Sequence, residues 1–107
     1  MSFQNQFTKI TTDANLMETV HHGSAEYPFR YYYENIALFD FKCIDWHWHS
    51  ELEFIYIESG NVVFDIGTVH FELNEGNGIM INSKILHRLQ SSSDAIIPNF
   101  LFQPSFI

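Results

Sequence analysis

Basic residues are scarce in this chain. Five Lys and Arg stand against thirteen Asp and Glu, giving a net charge of −8 over 107 residues. Neutralising nucleic-acid phosphates takes clustered Lys and Arg, so these residues by themselves make a poor nucleic-acid-binding surface. Cysteine is nearly absent: the single Cys43 excludes an intramolecular disulfide. Set between Lys42 and Ile44 with no activating neighbour in view, it reads as a small buried or half-buried thiol. No run of eighteen apolar residues occurs, so no membrane span is expected. Met1 to Val20 lacks a basic region followed by an apolar core and does not read as a secretory signal, which makes cytoplasmic residence the expectation. Internal repeats and low-complexity tracts are missing as well.

Apolar and aromatic residues are plentiful. They make up 46% and 17% of the chain, with eleven Phe and five Tyr, a composition that favours a packed β-rich domain over disorder. The length suits one domain, large enough to bury a core without disulfide staples. Residues 1 to about 12 are polar with scattered Phe3, Phe7 and Ile10 and read as a loose arm or a sheet-edge segment. Asp13 is placed to cap a short helix carrying Leu16, Met17 and Val20 on one face and ended by Gly23. From Pro28 the pattern turns extended: Phe29 to Tyr33, a long stretch from Ile36 to Trp48, and an alternating run from Phe54 to Glu58. Ser59-Gly60-Asn61 then turns the chain. Val62 to Ile66 and Val69 to Leu73 flank Gly67-Thr68, a two-residue hairpin signal. After a turn at Asn74 to Gly78 come Ile79 to Ile81, His87 to Gln90 and Ala95 to Phe102. Short strands at regular spacing argue for an all-β sandwich or barrel. The chain ends on apolar Phe106 and Ile107, which is expected of a piece that precedes a further domain rather than of an exposed terminus.

The chemistry concentrates between His47 and Gly60. His47 and His49 are two apart, so a strand projects both to one face. Glu53 follows four positions later, and His87 lies about a strand pair downstream. Three imidazoles and a carboxylate suit a divalent transition metal (Zn, Mn, Fe, Co or Ni), with coordination positions left open. Asp45, of the same parity as His47, is a candidate acceptor for the second ring nitrogen of that histidine. Tyr31 and Tyr33 share a face and are candidates for the mouth of a pocket, and Tyr56 joins Asp45 as a group that could contact a bound molecule. Trp46 and Trp48 should point away from the histidines. His21, His22 and His70 read as solvated, and Glu51, Glu58, Glu72 and Glu75 as an acidic rim.

The His47-x-His49, three residues, Glu53, six residues, Gly60 spacing resembles the first signature of the cupin superfamily, a small double-stranded β-helix or jelly-roll-like barrel. The second signature is matched in part: Gly76 and His87 are present, but Asn82 stands where a proline is expected and Lys84 where a glycine is expected. Its terminal asparagine falls at Ser91, and the glycine that precedes the first histidine is replaced by Phe41. Pro28 to Tyr33, Trp46 to His49, Glu51 to Ile57 and Ile81-Asn82-Ser83 resemble the N-terminal effector domain of AraC-type transcription regulators, over roughly residues 20 to 107. The resemblance implies an arm or short helix over 1–22, a cupin barrel over 23–107, and a helix-turn-helix DNA-binding domain beyond. It also implies a small-molecule effector (a carbohydrate in many such regulators), a homodimer, and no catalytic residues. DNA contact would come only through that following domain. A stand-alone metal-dependent oxygenase, isomerase or decarboxylase is the alternative, and a ligand-free dimerisation barrel a third.

Overall fold

The computed structural model describes residues 9–20, 22–24 and 27–106. The first eight residues with Phe3 and Phe7, His21, and the terminal Ile107 lie outside the described residues. Eight strands follow in order: β1 (Phe29–Asn35), β2 (Cys43–His47), β3 (Leu52–Tyr56), β4 (Asn61–Ile66), β5 (Val69–Asn74), β6 (Gly78–Ile81), β7 (His87–Gln90) and β8 (Ile96–Phe102). They form two four-stranded antiparallel sheets, ordered β1-β8-β3-β6 and β2-β7-β4-β5. Among the described residues no helix is long and apolar enough to cross a membrane.

Alternation along the strands fixes what lies between the sheets. Ile55, Ile81 and Ile97 of the first sheet meet Ile44, Val62, Phe64 and Leu89 of the second, all buried. Phe64 stacks on Phe71 at 5.6 Å between ring centroids. The β4–β5 hairpin turns at Gly67, whose φ of 58° lies in the left-handed region that a tight hairpin turn requires. Gly60 is needed twice over: its φ is 81°, and a Cβ there would come within 3.0 Å of the Ala95 backbone. Cys43 is half-buried, and burial raises its thiol.

Two local expectations are corrected. The stretch from Ile36 to Trp48 is not extended throughout: two 3-10 helices, Ile36–Leu38 and Asp40–Lys42, precede β2. Asn35 caps the first by accepting from the Ala37 amide at 3.0 Å, and Ile36 anchors it in the core. The expected helix after Asp13 is a tight loop instead. Asp13 Oδ1 does accept backbone amides, from Asn15 (2.8 Å) and Met17 (3.0 Å). The chain then reverses through Leu16 at φ 65°, so that Thr12 pairs with Glu18 and Met17 bridges Trp48. The Trp48 backbone donates to Leu16 O and accepts from the Glu18 amide, and its indole donates to Asn15 O. Pairing with the end of β2 thus outweighs a helix too short to nucleate on its own.

Phe41 and Lys84 share an unusual backbone. Their φ values are 59° and 64°, left-handed for non-glycine residues. Phe41 is 97% exposed, so no packing contact of its ring accounts for the conformation.

Candidate metal centre and adjoining cavity

His47 ends β2, His49 follows just past the bridge at Trp48, Glu53 lies in β3 and His87 opens β7. Register brings them together across the two sheets: His47 pairs with His87, and Glu53 sits between Ile81 and Leu101. A bulge between Ile44 and His47 shifts the pairing. Ile44 and His47 are therefore both buried although three residues apart, and Asp45 is turned out to solvent.

The four side chains are buried, and one potential ligand atom from each lies within 4.8 Å of the others. Their orientation is fixed from behind by the backbone. His47 Nδ1 donates to Asp45 O (2.8 Å), His49 Nδ1 to Glu51 O (3.0 Å) and His87 Nδ1 to Ile85 O (2.8 Å). Each hydrogen bond points the Nε2 of its ring into the cluster. His49 Nε2 donates to Glu53 Oε1 at 3.1 Å. Both of its nitrogens then face acceptors, the arrangement of an imidazolium. His87 Nε2 lies 3.3 Å from the same oxygen, at ion-pair distance but without hydrogen-bond alignment, and is a fully buried nitrogen with no hydrogen-bond partner.

The charges follow from this geometry. Burial opposes ionisation of Glu53, but the neighbouring His49 and His87 overcome it and hold the carboxyl well below the usual carboxylate range. Burial lowers His49, yet the Glu53 hydrogen bond and charge leave it raised. Burial and then the neighbouring His87 push His47 down to about 3, so its ring is neutral. An ionised carboxylate, a neutral imidazole and an orphaned buried nitrogen converging on one point fit a divalent metal ion.

Next to the cluster is a partly open cavity of about 40 Å³. Apolar walls come from Ile44, Ile55, Leu89 and Ile97, and Ile10 of the N-terminal segment closes part of it. A second polar group lines the same space. His22 is buried, its ring between Glu18 (2.9 Å) and the Tyr32 hydroxyl (2.6 Å), while its backbone amide donates to Glu51 Oε2. Glu34 faces Asn99, whose Nδ2 donates to it at 2.7 Å. Burial pushes the Glu34 carboxyl up to about 7 and the Tyr32 phenol up to about 12.

Several sequence expectations lie elsewhere. Tyr31 and Tyr33 are on the outer face of β1, Tyr31 against Phe100 and Tyr33 hydrogen-bonded to Glu58; Tyr32 is the one that reaches the cavity. Tyr56 is exposed, and Asp45 serves His47 through its carbonyl, its carboxylate accepting from the Trp46 amide instead. None of these four side chains lines the cavity. Trp46 lies outside as expected, under the Arg88 guanidinium at 4.9 Å. Glu51 is buried rather than part of a rim, and His22 is not solvated. The signal for His22 was its spacing of four from Glu18, which is uninformative until the chain folds the pair onto Tyr32.

A family model described as "AraC-like ligand binding domain" matches residues 39–106. The uncharacterised HTH-type transcriptional regulator YdeC of Bacillus subtilis (strain 168) is 37% identical over 75 residues, covering 70% of this chain and 26% of that protein. The match thus spans about a quarter of that relative's length. An RmlC-like cupin from Shewanella frigidimarina has a TM-score of 0.63 at 14% identity, over 75% of this chain and 72% of its own. Oxalate decarboxylase of Bacillus subtilis, described for its Mn(II) centres, has a TM-score of 0.54 at 22% identity, over 61% and 19%. At such identities the likeness speaks for the fold, and the fold is a cupin barrel.

Proposed function

The chain belongs to the AraC-like ligand-binding domain family, and on that premise we propose that it is the small-molecule-sensing and dimerisation unit of a transcription regulator. The supporting observation is the partly open cavity, with a polar cluster at one side and the N-terminal segment along it through Ile10, Glu18 and His22. A molecule bound there touches both the barrel and that segment, so it can shift their equilibrium by its differential affinity for the two arrangements. On this reading DNA is contacted by a helix-turn-helix part of a longer cytoplasmic polypeptide, the effector is a small oxygen-bearing compound such as a carbohydrate, and the working state is a homodimer.

His47, His49, Glu53 and His87 are the residues that would hold a divalent metal, which would offer the effector a Lewis-acidic anchor. The same donor set favours one second reading, a metal-dependent cupin enzyme with Tyr32, His22 or Glu34 as its proton-handling group. Thermal-shift measurements with divalent metals and a metabolite panel test the first reading. A ligand at 100 times its Kd stabilises by about 2.7 kcal/mol, which a chain of this size registers as a rise of roughly 10 °C or more. If compounds that stabilise the chain are also chemically consumed by the metal-loaded protein, and His47→Ala abolishes that turnover, the enzyme reading replaces the sensor.

A further inference from the structure

The outer face of the sheet β1-β8-β3-β6 departs from the usual pattern. An antiparallel sheet with one solvated face alternates apolar residues inward and polar residues outward. The second sheet obeys this: its outward positions include Asp45, Asp65, His70, Glu72 and Arg88, with Asp65 bonded to both His70 and Arg88. In the first sheet Glu53, Ile55, Ile97, Asn99 and Leu101 point inward. Within the four strands the opposite parity carries no charged side chain, in a chain with five basic and thirteen acidic residues; the one carboxylate at its margin, Glu58 just past the end of β3, accepts from the Tyr33 hydroxyl.

Register aligns the exposed side chains. Tyr31 lies opposite Phe100, Phe100 opposite Phe54, and Phe54 opposite Met80, one continuous row across the sheet. Tyr56 flanks it two residues along β3. All five are open to solvent, from 36% for Tyr31 and Phe54 to 52% for Met80. A sheet whose outer face is also apolar has the composition of one covered on both sides.

Charge decides what covers it. A basic partner would be drawn to the acidic surface of a chain with net charge −8, not to its neutral face. Two copies of the chain repel one another except where no like charges are brought together, and an interface about a two-fold axis must match itself. A neutral field of aromatic rings with an adaptable methionine meets both conditions. Its extent is adequate: four strands about 4.8 Å apart and roughly six residues long, pressed face to face, would remove on the order of 1,000 Å² of surface, the lower bound for a specific interface.

We propose that this face is the homodimer interface, each copy laying Tyr31, Phe54, Tyr56, Met80 and Phe100 against the same face of the other. The proposal deepens the dimeric half of the functional reading and is separable from its sensing half. Sedimentation equilibrium of the chain, from micromolar to submillimolar concentration, tests it. The wild type should dimerise, and Phe54→Glu/Met80→Glu should dimerise about 100-fold or more weakly, since central aromatic positions dominate interfaces. Val69→Glu, at an exposed position on the other sheet, should dimerise like wild type. Circular dichroism and a metal titration on the weakened variant establish that the barrel is intact; should the double variant not fold, Met80→Glu alone replaces it. A wild-type monomer throughout this range, or an undiminished dimer in the folded variant, overturns the proposal. So does a face that becomes protected only in a polypeptide carrying a DNA-binding unit. A monomer that still binds metal or effector removes this interface and leaves the sensing reading standing; a dimer of the predicted kind with no ligand does the reverse.

Discussion

Replacing Glu34 by Gln should stabilise the chain, and more so as pH rises. The Glu34 carboxyl ionises near 4.5 when unfolded, whereas burial beside the cavity pushes it up to about 7 in the folded protein. A group raised on folding contributes stability that is complete below its unfolded value and is lost as pH climbs through its folded one. Between pH 5 and pH 8 these two values remove on the order of 2–3 kcal/mol. Glutamine has the shape and hydrogen-bonding capacity of the protonated acid. Its Oε1 can accept from Asn99 Nδ2 as Glu34 does now, and it never has to ionise in the wall of the barrel. Urea denaturation of both proteins at pH 5 and pH 8, with chelator present, isolates Glu34 and the charges coupled to it (Glu18, His22 and Glu53), because titrating groups elsewhere cancel in the difference. The Glu34→Gln variant should gain on the order of 2–3 kcal/mol over wild type across that interval. A gain that does not change with pH, or one that is larger at pH 5, would refute the argument that Glu34 is held as a buried neutral acid.

Other perturbations have equally definite outcomes. Phe41→Gly and Lys84→Gly should each stabilise by about 0.5–1 kcal/mol, since a side chain in the left-handed region costs about 1–2 kcal/mol and glycine returns part of that as chain entropy; Tm by calorimetry reads the change. Glu53→Gln keeps the shape of the cluster but removes the charge opposite His49. Metal affinity by titration calorimetry should fall by more than the roughly 10- to 100-fold that loss of a supporting partner costs. In the wild type, metal must displace the proton that His49 shares with Glu53, so binding should release protons and weaken as pH falls, seen as a buffer-dependent binding enthalpy. Phe64→Ala empties the middle of the core under Phe71 and should cost about 3–5 kcal/mol in chemical denaturation.

Most strands were legible because their signals are local. Gly67-Thr68 between Val62–Ile66 and the alternating Val69–Leu73 leads to one hairpin, and the structure closes there with Ile66 opposite Val69. The stretch from Ile36 to Trp48 reads as extended because aromatic and aliphatic residues recur along its whole length with no glycine or proline to mark a turn. Only the cap at Asn35 and the burial of Ile36 under Ala95 convert it into turns, and Ile36 donates to Ala95 O from nearly sixty positions away in sequence. Asp13 illustrates the same limit: an acceptor for two amides serves a helix or a tight loop equally well, and Trp48 decides between them.

The site was half legible, for reasons of parity. His47, His49 and Glu53 converge as their spacing implies, but assigning Asp45 to the face of His47 assumed an unbroken strand, and the bulge after Ile44 breaks it. Along Tyr31-Tyr32-Tyr33 alternation says that the middle ring differs from its neighbours, yet not which side is inside; pairing Glu34 with Ile97 in β8 settles that. Two of the four departures from the cupin signatures carry the sharper lesson. Phe41 and Lys84 stand where the signatures have glycines. Both residues nevertheless hold the left-handed backbone that glycine would supply, and Lys84 donates its amide to His49 O at 2.8 Å. What the barrel needs at these points is a conformation, and glycine is only its least costly source. If that is right, restoring the glycines should raise stability while leaving metal affinity unchanged, whereas a rise in affinity would mean that the side chains had deformed the site after all.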